Sequence, residues 1–155
     1  MMTQPTGNEK NVTTAGAAGG IEKRCPFPGT TPRVIVMKRG IPGFEQVRRY
    51  HLVAKDENNP FCLLRGVDGS PVFVVVDPLL VCPDYDPVIP EREARFLELK
   101  DESEAALLVI VAIRREPHSV TVNLRAPLLV NTGKNLAVQV VLEDQDWPVR
   151  HAIMS

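Results

Sequence analysis

Long apolar runs are missing from this sequence. No stretch approaches the roughly 18 apolar residues that a membrane-crossing helix needs, so no membrane span is expected. Cysteine is scarce: Cys25, Cys62 and Cys82 are odd in number, widely spaced and never paired as CxxC. That pattern argues against a disulfide framework or a zinc site and fits a reducing cytoplasm. Cys62 and Cys82 lie in apolar runs and read as small buried hydrophobes. His51, His118 and His151 show no metal-ligand spacing, and no serine or cysteine stands in a nucleophile elbow. No metal and no cofactor are therefore expected. The opening "MMTQPTGNEK" lacks the apolar core of a signal peptide, which again points to the cytoplasm. A dominant charge sign is absent too, with 18 Lys and Arg against 19 Asp and Glu.

The charge is unevenly spread. Thr31 to Lys55 holds six bases and one acid, whereas Asp56 to Glu104 holds twelve acids and four bases. An acidic central third repels a phosphate backbone, so direct nucleic-acid binding is not expected. It suits a basic or hydrogen-bond-rich protein partner, or simply a solvated surface. Arg48 and Arg49 form a short basic cluster without interleaved aromatics and read as a solvated strand face.

Residues 1–30 are rich in Gly, Ala, Thr and Pro and show no period, so they read as a flexible tail. Residues 31–155 read as one domain. Eight short β-branched runs recur there: Val34–Met37, Tyr50–Val53, Phe61–Arg65, Val72–Val76, Leu107–Ile113, Val120–Leu124, Leu128–Val130 and Ala137–Leu142. Such runs, separated by turn residues, predict an antiparallel sandwich or barrel. "NTGKN" has the composition of a hairpin turn. One helix is expected from Pro90 to Lys100, with Pro90 at its first position and Glu91 facing Arg95. Ala105–Leu108 fits either the start of a buried strand or a helix.

The stretch "FVVVDPLLVCPDYDPVIP" gathers three aspartates among four prolines. Asp77, Asp84 and Asp86 adjoin prolines, where aspartate commonly closes a turn by accepting backbone hydrogen bonds. Two competing readings are a partner contact and, less favoured, a carboxylate pair Asp77/Asp84 in a small β-barrel hydrolase. The hydrolase reading needs environments that split the two pKa values, and the sequence supplies no convergent His or metal set. Tyr85 between two acids has the composition of an interface anchor. In "VTVNLRAPLLVN", Asn123 and Asn131 are either structural or polar groups beside a strand edge that receives a peptide, with Pro127 marking that edge. In "RGIPGFE", Gly40, Pro42, Gly43 and Phe44 read as a tight turn with Phe44 packed into the core, not as a phosphate loop.

Four segments in one order carry a family resemblance: "RGIPGFEQVRRYHL", the VxDP corner with the PDYxP block, "TVNLRAPLLVN", and "WPVRHAI". Together they make residues 34–153 resemble the flagellar assembly factor FliW family. The resemblance implies a mostly β, small antiparallel β-barrel-like domain with one or two short helices and no catalytic activity. It implies binding to the translational regulator CsrA, antagonising its repression of flagellin synthesis, and binding to flagellin as a cytoplasmic chaperone and partner switch. A flagellin chaperone without CsrA antagonism is the alternative. The free protein is expected to be a monomer.

Overall fold

Stiff β-branched side chains fit a pleated sheet better than a helix, and here they crowd into short runs. The computed structural model describes residues 33–54 and 58–154. The expected tail, residues 1–30, lies outside them. The strands are β1 (Arg33–Met37), β2 (Arg49–Ala54), β3 (Cys62–Gly66), β4 (Val72–Val76), β5 (Ala105–Arg115), β6 (His118–Val122), β7 (Leu128–Asn131), β8 (Leu136–Gln139) and β9 (His151–Met154). Two short helices, α1 (Pro78–Val81) and α2 (Glu91–Phe96), stand between β4 and β5.

Seven strands bond in the order β4-β3-β2-β1-β8-β7-β5, and β4 pairs with β5 to close the ring. The molecule is thus the mostly β barrel that the sequence predicts. Its pairs are antiparallel except for one parallel seam, β1 to β8, at Val36–Leu136 and Met37–Ala137. β6 and β9 extend the sheet beyond β5.

Alternation sends every second side chain into the barrel. Ile35, Met37, Tyr50, Leu52, Cys62, Leu64, Val75, Ala106, Leu108, Leu128, Val130 and Ala137 fill its interior with Ile41. Among the described residues, the Tyr50 hydroxyl is the one buried side-chain polar atom without a hydrogen-bond partner. A second core lies outside the barrel. Outward-facing Val76, Leu107, Val109, Leu129 and Val138 are covered by Tyr85, Ile89, Leu97, Leu142 and Trp147 from two connecting segments. Fully burying each such side chain stabilises the fold by roughly 1.5–3 kcal/mol.

β6 and β7 are one strand interrupted. Both run back along β5, β6 on Val111–Arg115 and β7 on Ala105–Leu108. Five residues, Asn123 to Pro127, span a gap that β5 crosses in two, Val109 and Ile110. The excess bulges out of the sheet.

Several local readings need adjustment. β5 is strand from Ala105 onward, which settles Ala105–Leu108. Helix α2 stops at Phe96, not Lys100, because Glu98 adopts φ 60 and Asn131 takes the freed Leu97 carbonyl. Its Glu91–Arg95 pair forms as expected, at 3.2 Å. α1 and β9 are additions that four-residue segments left without a periodic signal. The Ile41–Phe44 turn forms: Phe44 N–H donates to Ile41 O at 2.7 Å, and Gly43 carries φ 89 behind Pro42, the type II arrangement. A Cβ on Gly40 would lie 2.5 Å from the Glu45 Cα, so that position admits only glycine. Phe44 itself is 42% exposed, not packed into the core; its ring meets Phe73 edge-on at 5.4 Å.

Candidate functional site: an acidic strip on a tyrosine–tryptophan corner

Proline fixes the chain leaving β4. Pro78 occupies the first position of α1, where its missing N–H costs nothing, and Asp77 caps the helix by accepting from the Leu79 N–H at 2.9 Å. The Asp77 carboxyl is buried, and that burial pushes its pKa up despite the Leu79 hydrogen bond.

After α1 comes a turn over Pro83 and Asp84, closed by the Tyr85 N–H on the Cys82 carbonyl. It leads into a segment without helix or strand from Tyr85 to Pro90, where Pro87 and Pro90 push Asp86 and Ile89 to extended geometry. Burial alternates from Asp84 on: Tyr85, Pro87 and Ile89 are buried, whereas Asp84, Asp86 and Val88 are exposed. Two acids and an apolar side chain therefore stand in one row on a stiff backbone.

The strip is anchored from below. Tyr85 is 1% exposed; its hydroxyl donates to the Leu124 carbonyl at 2.6 Å, and its ring meets Trp147 edge-on at 4.7 Å. Burial, with Cys82 nearby, pushes the Tyr85 phenol far above its usual range. The acceptor belongs to the bulge between β6 and β7. Asn123 Oδ1 closes that bulge by accepting from the Arg125 and Ala126 N–H groups at 3.0 and 3.1 Å. Arg125 Nε donates to Trp147 O, and Leu124 N–H to Pro148 O.

A second clasp ties the strip to the chain after β8. The Val88 N–H donates to Gln145 Oε1 at 3.0 Å, Gln145 Nε2 donates to Val88 O at 2.8 Å, and Trp147 Nε1 donates to Gln145 Oε1. This brings the segment that carries exposed Glu143, Asp144 and Asp146 up to the strip at Val88. Those three acids were not among the residues singled out from the sequence. Their signal was present in "LEDQDWP", where acids flank a glutamine and the chain's single tryptophan.

The expected site residues thus separate. Asp84 and Asp86 reach solvent. Tyr85, read as a surface anchor, is instead the strip's inward anchor. Asp77 is a helix cap and half-buried Asn123 a bulge former. Asn131 is 0% exposed: its Nδ2 donates to Leu97 O at 2.8 Å and Glu98 O at 3.4 Å, and its Oδ1 accepts from the Gly133 and Lys134 N–H groups. It joins the end of α2 to the β7–β8 hairpin. The Glu98 carboxyl beside it is held below its ordinary range by Lys134 and Lys38. Among the described residues no group of three His, Cys, Asp or Glu could hold a metal, and no helix is long and apolar enough to cross a membrane.

Comparison with known proteins places this geometry. The sequence profile of the FliW protein family matches residues 27–153. The flagellar assembly factor FliW of Syntrophus aciditrophicus (strain SB) is 43% identical over 122 residues, 78% of this chain and 77% of the relative. That of Thermotoga maritima is 37% identical over 124 residues, 77% and 82% of the two chains. A crystal structure of the flagellar assembly factor FliW superposes with a TM-score of 0.71 at 27% identity, over 79% of this chain and 86% of that one.

Proposed function

Because this chain belongs to the FliW family of flagellar assembly factors, we propose that it is a non-enzymatic cytoplasmic regulator that binds CsrA and flagellin. By binding CsrA it relieves the repression of flagellin synthesis. Flagellin competes for the factor, so accumulated flagellin frees CsrA. The free protein is a monomer in this reading.

The observation that supports it is the row Asp84, Asp86 and Val88, exposed on a backbone whose alternate side chains are locked in the core. A pre-ordered strip binds without the entropy loss of arranging its own side chains and backbone. Acids around an apolar centre suit a basic partner and speed its approach. Asp77, Tyr85, Asn123 and Asn131 act in this scheme by holding the strip and its neighbours in place. Asp77 is committed to its cap, which counts against an Asp77/Asp84 pair in hydrolytic chemistry.

Calorimetric titration with CsrA, repeated after saturation with flagellin, tests the reading. Binding that flagellin abolishes is the expected result, and Asp84→Lys with Asp86→Lys should weaken it at least tenfold, about 1.4 kcal/mol. If the double variant stays within about threefold, roughly 0.7 kcal/mol, the strip is not the contact surface. Flagellin binding without CsrA binding would leave the chaperone activity alone.

A further inference from the structure

None of the nine strands contains an aspartate or glutamate. The acids of the described residues all lie in connections, while β2, β3 and β5 carry Arg49, Arg65, Arg114 and Arg115. Pairing aligns several outward positions in one row across the outer face of the sheet. Val34 lies opposite His51, His51 opposite Arg65, and Arg65 opposite Val72. Val72 and Ile113 each lie two residues beyond Val74–Val111, the last pair between β4 and β5.

Three features coincide at the β5 end of that row. Val72 and Ile113 are 50% and 60% exposed, although both are strand residues with β-branched side chains. Pairing between β4 and β5 stops at Val74–Val111, yet β5 continues to Arg115 with β6 on its other side. Among the described residues, Ile113–Arg115 therefore has one edge without a paired strand. Finally, Arg65, Arg114 and Arg115 make no ion pair among the described residues, whereas Lys38, Arg39 and Lys134 are taken up by Glu93 and Glu98. The neighbouring acids, Asp68 and Glu116, belong to the turns at the strand ends.

We propose that this face is a second docking surface, and that it takes an extended, acidic and apolar segment of a partner protein as a strand added to the open edge of β5. Main-chain bonds to the edge would hold the segment, Val72 and Ile113 would meet its apolar side chains, and the arginines its carboxylates. The same arginines repel another copy of this basic edge, which disfavours self-pairing. The row's one aromatic side chain is half-buried His51, with no Phe, Tyr or Trp in the row to build a stacking platform for bases, so a polypeptide fits better than RNA. The proposal is independent of the acidic strip: either surface can fail alone.

The probe is a peptide of about ten residues in which Val and Glu take turns at every second position with Thr between them, so that both share one face as Ile113, Arg115 and Arg65 do, at a length that spans one added strand. It would be titrated into the isotopically labelled full chain, with a Val–Lys peptide and a single-stranded RNA as controls. The expected result is amide shifts at Val72–Phe73 and Ile113–Arg115 with the acidic peptide. Affinity should fall at least tenfold in Arg65→Glu with Arg115→Glu and stay unchanged in Asp84→Lys with Asp86→Lys. Absence of shifts, equal binding of the Val–Lys peptide, stronger binding of RNA, or shifts confined to Asp84–Val88 would each overturn the proposal. All four positions altered are exposed, and an unchanged unfolding midpoint confirms that each variant is folded.

Discussion

One sheet here presents two outer faces with opposite fates. Along β4, β5, β7 and β8 the outward side chains Val76, Val109, Leu129 and Val138 are sealed beneath other segments. Along β1 to β4 and the end of β5 the same alternation leaves Val36, Arg49, Arg65, Val72 and Ile113 in solvent. β5 crosses from one regime to the other, for Val109 is 0% and Ile113 60% exposed on the same side of the same strand. Strand propensity does not distinguish them, since both are β-branched. What distinguishes them is the cover, residues 77–104 and 140–150, and the cover carries acids where the sheet carries bases. The two faces differ in charge because they are built from different parts of the chain, strand on one side and connection on the other.

The cover should be the more fragile half, and its pins are where the comparison breaks first. Asn131→Leu removes the donor to Leu97 and the acceptor for two hairpin N–H groups in a fully buried position. Leaving such groups unpaired costs about 1–3 kcal/mol each where they stay dry, so we expect a loss of about 3–5 kcal/mol in denaturant unfolding. A loss under about 1 kcal/mol would mean that the hairpin and α2 hold without this residue. A matched pair on β5 sharpens the contrast. Val109→Thr puts a hydroxyl into the outer core, where nothing on its face bonds to it, and should cost about 1–3 kcal/mol. Ile113→Thr, four residues on, should stay within about 0.5 kcal/mol. Equal losses would show that the far end of β5 is also covered in solution.

The strands were legible because each carries its own signal: eight apolar runs give β1 to β8, and in "VTVNL" the alternation puts Val120 and Val122 on one face, where both are buried. The acids' neighbourhood was only half legible. Proline spacing rules out a helix there and makes the residues before Pro87 and Pro90 extended, but which side chains turn inward depends on the Leu124 carbonyl and Trp147, which are distant in sequence. Tyr85 is read outward for that reason: a tyrosine between two aspartates looks solvated until its hydrogen-bond acceptor is known. Asn131 is similar, because an asparagine ending a strand and opening a turn gives no hint that Leu97 sits above it. β9 is missed because "HAIM" has too few residues to show a period.

The smallest effect concerns Asp77, which belongs to the cover yet is acidic and buried. Burial raises its pKa in the folded protein above the ordinary 3.8, with the Leu79 N–H opposing. An acid of this kind binds its proton more tightly folded than unfolded. Its contribution to stability is fully present below the unfolded pKa and is lost as pH rises through the folded one. At neutral pH the carboxylate is a charge kept in a dry place for the sake of one helix cap. Asparagine caps nearly as well and carries no charge. Asp77→Asn should therefore raise the unfolding midpoint at pH 7, and the gain should shrink as pH falls through the carboxylate range, because the native side chain then becomes neutral as well. A gain that persists unchanged at pH 3 would mean that the amide improves packing and that desolvation of the charge is not the cause. A loss at pH 7 would mean that the negative charge at the start of α1 matters more than its burial, and the acids of the cover would then be structural at this position as well as partner-facing at Asp84 and Asp86.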